Sequence, residues 1–242
     1  MRILYQLTSP MDRTIGTHEV SRRRDVLARH AAPGTDIEIR PTEQGPAAIE
    51  SARDAALVVP ELLRLAPAAE RAGFDAVIIG CFSDPGLDAL RETLRIPVVG
   101  PGASAMHLAA QLGTRFSVLS PAGRGHGRLA ARLRALALAP LFASVRSIGL
   151  SVMDLARQTP GAFDKAAEAG RRAVDEDGAE VLVLGCMSMA FLPGVAEALQ
   201  QRIGVPVVNP VVAGLKTAEM AADMKLAHSK AAYPTPRLEE IV

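Results

Sequence analysis

The 242-residue chain has no tryptophan, only two tyrosines and six phenylalanines, and only two cysteines. Each scarcity removes a class of answer. So few aromatic rings, with 27 basic residues against 26 acidic ones, leave neither the stacking platform nor the positive surface of a nucleic-acid binder. Two thiols in a chain long enough to bury its own core are no disulfide framework, and a reducing compartment keeps both free. The stretch without Asp, Glu, Lys or Arg that opens at Ile96 is broken by Pro97, Gly100, Pro101 and Gly102 and carries His107. It is therefore no membrane span of about 20 apolar residues. The opening Met1-Arg2-Ile3-Leu4-Tyr5 enters a strand-like run with no signal-peptide pattern, so a cytoplasmic address is expected. The five histidines show no paired metal spacing, and no metal is expected.

What remains is 49% apolar and 22% charged, the balance of a globular chain of one large domain or two small ones. Short β-branched runs at 3–7, 36–40, 75–79, 96–100, 116–120, 145–148, 181–184 and 205–208 predict eight strands. Between them lie Ala-, Leu- and Arg-rich stretches with apolar residues three and four apart, the period of amphipathic helices. This alternation predicts an α/β fold with parallel, doubly wound sheets. The runs 76–79 and 181–184 are apolar without alternation, as in strands covered on both faces. Arg22-Arg23-Arg24, beside Glu19 and Asp25, reads as a solvated helix face. Gly123-Arg124-Gly125-His126-Gly127 lacks the third glycine of a dinucleotide loop and the Gly-Lys-Ser/Thr of a phosphate loop, so a rim loop is expected there. His107 and Lys216 stand at matching places on two predicted helices and read as ordinary helix-face residues.

The chain repeats itself. Phe74-Asp75-Ala76-Val77-Ile78-Ile79-Gly80-Cys81 is answered by Ala179-Glu180-Val181-Leu182-Val183-Leu184-Gly185-Cys186, and Ile96-Pro97-Val98-Val99 by Val205-Pro206-Val207-Val208. Two pseudo-symmetric lobes follow, each with a four-stranded sheet: 1–100 plus 210–242, and 101–209. Each places one cysteine just past a strand's C-terminal end, where open α/β sheets bind ligands. Two such edges facing each other make one cleft with a thiol on each side, the arrangement that inverting a carbon stereocentre requires: one thiolate removes a proton and the other thiol delivers one. A free cysteine is often a small core residue, but a core filler has no reason to recur after the same strand and glycine. Ser83-Asp84-Pro85-Gly86 and Ser188 read as helix starts whose unpaired N–H groups face the cleft and stabilise a thiolate or an enolate.

These residues resemble the Asp/Glu/hydantoin racemase superfamily, and within it the hydantoin and allantoin racemases. Gly80-Cys81-Phe82-Ser83-Asp84-Pro85-Gly86-Leu87 is similar to the family's first-cysteine motif and Leu184-Gly185-Cys186-Met187-Ser188-Met189-Ala190 to its second. Gly45-Pro46-Ala47-Ala48-Ile49-Glu50 fits as well, and His228-Ser229-Lys230 with Tyr233-Pro234 resembles the family's ending. The resemblance implies a two-lobed Rossmann-like fold, a homo-oligomer, and racemisation by Cys81 and Cys186 without a cofactor or metal, with Cys81 acting on the D-isomer and Cys186 on the L-isomer.

The chain departs from the family where its first strand often opens into Asn-Pro-Asn-Thr: here it reads Gln6-Leu7-Thr8-Ser9-Pro10, and the fifth strand runs into Ser120-Pro121-Ala122-Gly123. Phe82-Ser83 and Met187-Ser188 replace the polar pairs expected beside the cysteines of free amino-acid racemases, so a neutral, partly flat 5-substituted hydantoin or allantoin is the expected substrate. Thr8, Ser9, Phe82, Ser83, Ser120, Met187 and Ser188 are expected to line the cleft, and a cluster of Arg or Lys there would favour free amino acids. A free amino-acid racemase or maleate-type isomerase is the alternative, and a non-catalytic small-molecule binding protein stands behind both.

Overall fold

The apolar runs become strands in two parallel sheets of identical order. The computed structural model describes residues 1–121, 123 and 125–236, the side chain of His126 excepted. Strands β1 (Arg2–Leu7), β2 (Asp36–Arg40), β3 (Ala76–Gly80) and β4 (Val98–Val99) form the first sheet in the order β2-β1-β3-β4. Strands β5 (Phe116–Ser120), β6 (Phe142–Ser147), β7 (Val181–Leu184) and β8 (Val207–Val208) form the second in the order β6-β5-β7-β8. Every pairing is parallel.

Three strands differ from the sequence reading by more than one residue, for local reasons. β6 begins at Phe142, three residues earlier than expected, where its ring meets Phe116 edge-on with centroids 5.9 Å apart. β4 and β8 shrink to two residues because Pro97 and Pro206 bring no N–H to the ladder. Their carbonyls still accept from Val77 and Leu182, each at 2.9 Å.

The helices are α1 (Thr17–His30), α2 (Ala52–Arg71), α3 (Leu87–Thr93), α4 (Pro101–Leu112), α5 (His126–Ala135), α6 (Val152–Ala156), α7 (Ala162–Asp177), α8 (Met187–Ala190), α9 (Val195–Ile203) and α10 (Pro210–Asp223). α4 and α10 each open on proline, whose fixed φ suits a first helical position. They cross between the sheets: α4, which follows the first sheet, packs on β7, and α10, which follows the second, packs on β3. Where the two helices meet, a Cβ on Gly214 would stand 2.9 Å from Pro101 Cβ, so the close approach needs the glycine.

The central strand β3 is buried on both faces: Ala76 and Ile78 join a core that continues through the second sheet, while Val77 and Ile79 pack with Leu4, Val58 and Leu62 under α2. Each of these Val, Leu and Ile side chains contributes roughly 1.5–3 kcal/mol on burial. The segment after α10 returns to the first lobe. Lys230 Nζ donates to the carbonyls of Arg91, Glu92 and Leu94 at 2.8–2.9 Å, and His228 Nε2 accepts from the Val98 N–H at 2.8 Å. The ending motif thus holds the last carbonyls of α3 and the edge of β4. Among the described residues no helix is long and apolar enough to cross a membrane.

Candidate active site

β3 and β7 end in Gly80-Cys81 and Gly185-Cys186, and in both lobes the glycine lets the strand end press onto its neighbour. A Cβ on Gly80 would lie 2.9 Å from the Gln6 carbonyl and 3.0 Å from Tyr5 Cε1; one on Gly185 would lie 2.6 Å from Val118 Cγ1 and 2.7 Å from the Leu119 carbonyl. The two cysteines border a single cavity of about 400 Å³ between the lobes. Thr8, Ser9, Phe82, Ser83, Ser120, Met187 and Ser188 line the same cavity.

The surroundings of the thiols differ. Cys81 is partly exposed and its Sγ lies 3.2 Å from Ser83 Oγ. Burial pushes the Cys81 thiol above its usual range, against the opposing pull of the Ser83 hydroxyl. Cys186 is buried and is the N-cap of α8. Burial pushes its thiol up to about 11, opposed by hydrogen bonds from the Met189 and Ser188 backbone N–H groups. Both sulfurs therefore rest as neutral thiols near pH 7 and need help to ionise.

Three arginines also border the cavity: Arg23, Arg128 and Arg132. Arg23 donates to Glu19 Oε1 at 2.8 Å and to Ser188 Oγ at 3.0 Å. Burial works against charging Glu19, but hydrogen bonds from Arg22 and Arg23 hold its carboxyl below the usual range. Arg132 bonds the Asp84 carboxylate and the Phe82 carbonyl, and Asp84 also accepts from the Gly102 and Ala103 N–H groups at the start of α4. Arg128 is exposed at the rim, 3.5 Å from the Glu50 carbonyl. Two of the three cations are thus matched by a carboxylate.

A family model for Asp/Glu/Hydantoin racemase matches residues 16–218. The chain belongs to that family. The racemase, an isomerase by this membership, is 35% identical over 238 residues to the hydantoin racemase of Paenarthrobacter aurescens, covering 98% of each chain. It is 36% identical over 213 residues to the hydantoin racemase of Pseudomonas sp. (strain NS671), covering 88% of this chain and 84% of the relative. Its fold matches the allantoin racemase from Klebsiella pneumoniae with a TM-score of 0.90 at 30% identity, over 100% of this chain and 96% of the other.

Several expectations need correction. Arg23 is not solvated: its side chain is 2% exposed and faces the cavity, and Arg22 is half-buried against Glu19 and the Phe191 carbonyl. The signal was its spacing, since Arg23 stands three and four residues before both buried Val26 and Leu27, whereas Arg22 and Arg24 each stand at helical spacing from only one of them. No helix starts directly after Cys81. Asp84 takes a positive φ of 48°, which lets it reach the α4 amides, and α3 begins only at Leu87. The 47–52 segment, part of the Gly45–Glu50 stretch that resembles the family, supplies a wall that includes Glu50 and Ser51, whereas Val152, Met153 and Ala156 of α6 supply one that carries no reactive group and so gave no signal. Of the rim loop, Gly125 borders the cavity, while Ala122, Arg124 and the His126 side chain lie outside the described residues. His107 and Lys216 line a separate cavity along β4 and β8.

Proposed function

We propose that the racemase interconverts the enantiomers of 5-substituted hydantoins, allantoin included, by proton transfer between the ring stereocentre and two cysteines. One of Cys81 and Cys186, as thiolate, takes the C5 proton and becomes a thiol. The electron pair moves into the ring amide as an enolate. The opposite thiol then returns a proton to the other face and is left as thiolate, so charge passes from one sulfur to the other and no cofactor is consumed. The observation that carries this reading is that two cysteines ending equivalent strands border one cavity. Apolar Phe82 and Met187 beside the thiols support a neutral ring, as do relatives named for hydantoin and allantoin. Thr8, Ser9, Ser83, Ser120 and Ser188 supply polar groups for ring carbonyls and N–H groups.

The three arginines support a second reading, a free amino acid held by its carboxylate. The ring stays ahead because Arg23 and Arg132 already hold Glu19 and Asp84. Chiral chromatography of hydantoins, allantoin, aspartate and glutamate, incubated with the protein and no added cofactor, separates the two. Racemised hydantoin or allantoin is the expected result, and racemised aspartate or glutamate alone overturns the ring. This reading includes a cytoplasmic homo-oligomer without nucleic-acid or membrane partners, which gel filtration and cell fractionation test.

A further inference from the structure

Seven residues into the first helix after each lobe's opening strand, an arginine reaches across to the other lobe. Arg23 is the seventh residue of α1, and it bonds Ser188, two residues past Cys186. Arg132 is the seventh residue of α5, and it bonds Phe82 and Asp84, the first and third residues past Cys81. Each guanidinium also lies over an aromatic ring beside that cysteine loop: Arg23 4.7 Å from the Phe191 centroid, Arg132 5.7 Å from that of Phe82. Such pairs are expensive to bury, and packing alone is served as well by apolar residues. The charge count favours a spare cation on the Cys186 side, where Arg22 and Arg23 share the single carboxylate of Glu19.

We propose that Arg23 and Arg132 are a crossed pair of positioning residues, each lobe supplying the cation that stabilises the thiolate of the other lobe's cysteine: Arg23 for Cys186 and Arg132 for Cys81. The proposal rests on the two-cysteine reading above. A racemase runs in both directions, and the negative charge ends on one sulfur in one direction and on the other in reverse. One cation per sulfur meets that demand. Because each cation comes from the opposite lobe, a thiolate is stabilised only when the lobes are closed on each other. Arg23 is among the groups that favour the charged form of Cys186, and Arg132 is among those that favour it at Cys81, where it works against the Asp84 carboxylate that it holds.

Single-cysteine proteins isolate each thiol, and the pH dependence of alkylation by iodoacetamide, read by mass spectrometry, reports its thiolate fraction without any substrate. In the Cys81→Ser protein, Arg23→Gln is expected to slow alkylation of Cys186 about tenfold at pH 8, the effect of a one-unit rise in pKa, and Arg23→Lys to restore most of it. In the Cys186→Ser protein the same change leaves Cys81 within about twofold, and Arg132→Gln gives the mirror pattern. Arg23→Met and Arg132→Met are read in the same way if a Gln variant does not fold. Equal slowing of both thiols by either change, or pH profiles that do not move, would overturn the crossed pair. With both cysteines present, the two substitutions should slow solvent-hydrogen exchange into opposite enantiomers of a 5-substituted hydantoin. A protein inert toward hydantoins that still shows crossed alkylation loses the substrate reading and keeps the pair.

Discussion

Cys81 and Cys186 end equivalent strands, yet the chain leaves them in different ways. After Cys186 it turns at once into α8, of which Cys186 is the N-cap residue, and the Ser188 and Met189 backbone N–H groups favour the charged form of its sulfur. After Cys81 it makes a loop through Asp84, and the sulfur meets the Ser83 hydroxyl together with a single backbone N–H, that of Ser83. The repeat therefore preserves where each thiol stands but not what steadies its charge. A backbone donor is fixed by the fold, whereas a side-chain donor is open to substitution, so among the direct donors to the two sulfurs the Ser83 hydroxyl is the one that a substitution removes.

The sharpest break of this comparison is loss of one sulfur. Cys81→Ser and Cys186→Ser should each lower racemisation by about 10²–10⁴. Each variant should still exchange the C5 hydrogen of one hydantoin enantiomer with deuterated solvent, and the two should prefer opposite enantiomers. NMR of the C5 proton reads this directly. Full activity in either variant would refute the two-cysteine mechanism.

How much of this the sequence disclosed depends on whether a residue's role repeats. The strands, the paired Gly-Cys ends and the common cavity follow from the likeness of 74–81 and 179–186, apolar runs that both end in Gly-Cys. Arg23 was hidden because three consecutive arginines look like one solvated patch, although helical period puts only the middle one over Val26 and Leu27. Asp84 was hidden for a different reason. Ser-Asp-Pro-Gly is a good helix start on local grounds, and only the tertiary position of the α4 amides makes a turn with positive φ the better use of that carboxylate. The wall from α6 is apolar surface brought in by folding, which no local pattern marks.

The glycines before the two sulfurs should separate the lobes next. A Cβ on Gly185 would collide at 2.6–2.7 Å with Val118 and the Leu119 carbonyl, while one on Gly80 meets its neighbours at 2.9–3.0 Å. Both replacements by alanine overpack a strand junction, at about 1–3 kcal/mol each, with Gly185→Ala the costlier. Urea unfolding gives the ranking, and the reverse order would mean that β5 yields more readily than β1.

A smaller effect tests the side-chain donor. The Ser83 hydroxyl favours the charged form of Cys81, so Ser83→Ala should move the alkaline limb of Cys81-face exchange to higher pH and slow it several-fold at pH 8, roughly half a pKa unit. Cys186-face exchange should not move. Between pH 7 and 9 the parent protein should gain about tenfold per pH unit on the Cys186 face, because a thiol pushed up to about 11 stays mostly protonated there.

The least effect on activity belongs to the two edge strands. The Val98 N–H of β4 is held by His228 at 2.8 Å, whereas the equivalent Val207 N–H of β8 meets the Gln200 side-chain oxygen at 3.4 Å. Lys230→Ala, which removes three charge-assisted bonds at the end of α3, should cost about 1–2 kcal/mol in urea unfolding and leave racemisation unchanged. Burial holds His228 below its usual range, and its Nε2 can accept from Val98 only when neutral. Its contribution to stability is therefore complete above about pH 6.5 and is lost as pH falls through the lower folded value. Hydrogen exchange resolves this by residue: His228→Ala should speed exchange at Val98 and leave Val207 unaltered. Equal acceleration at both amides would mean that the edges open together, through the crossed helices α4 and α10, and not through the tail that only the first lobe carries.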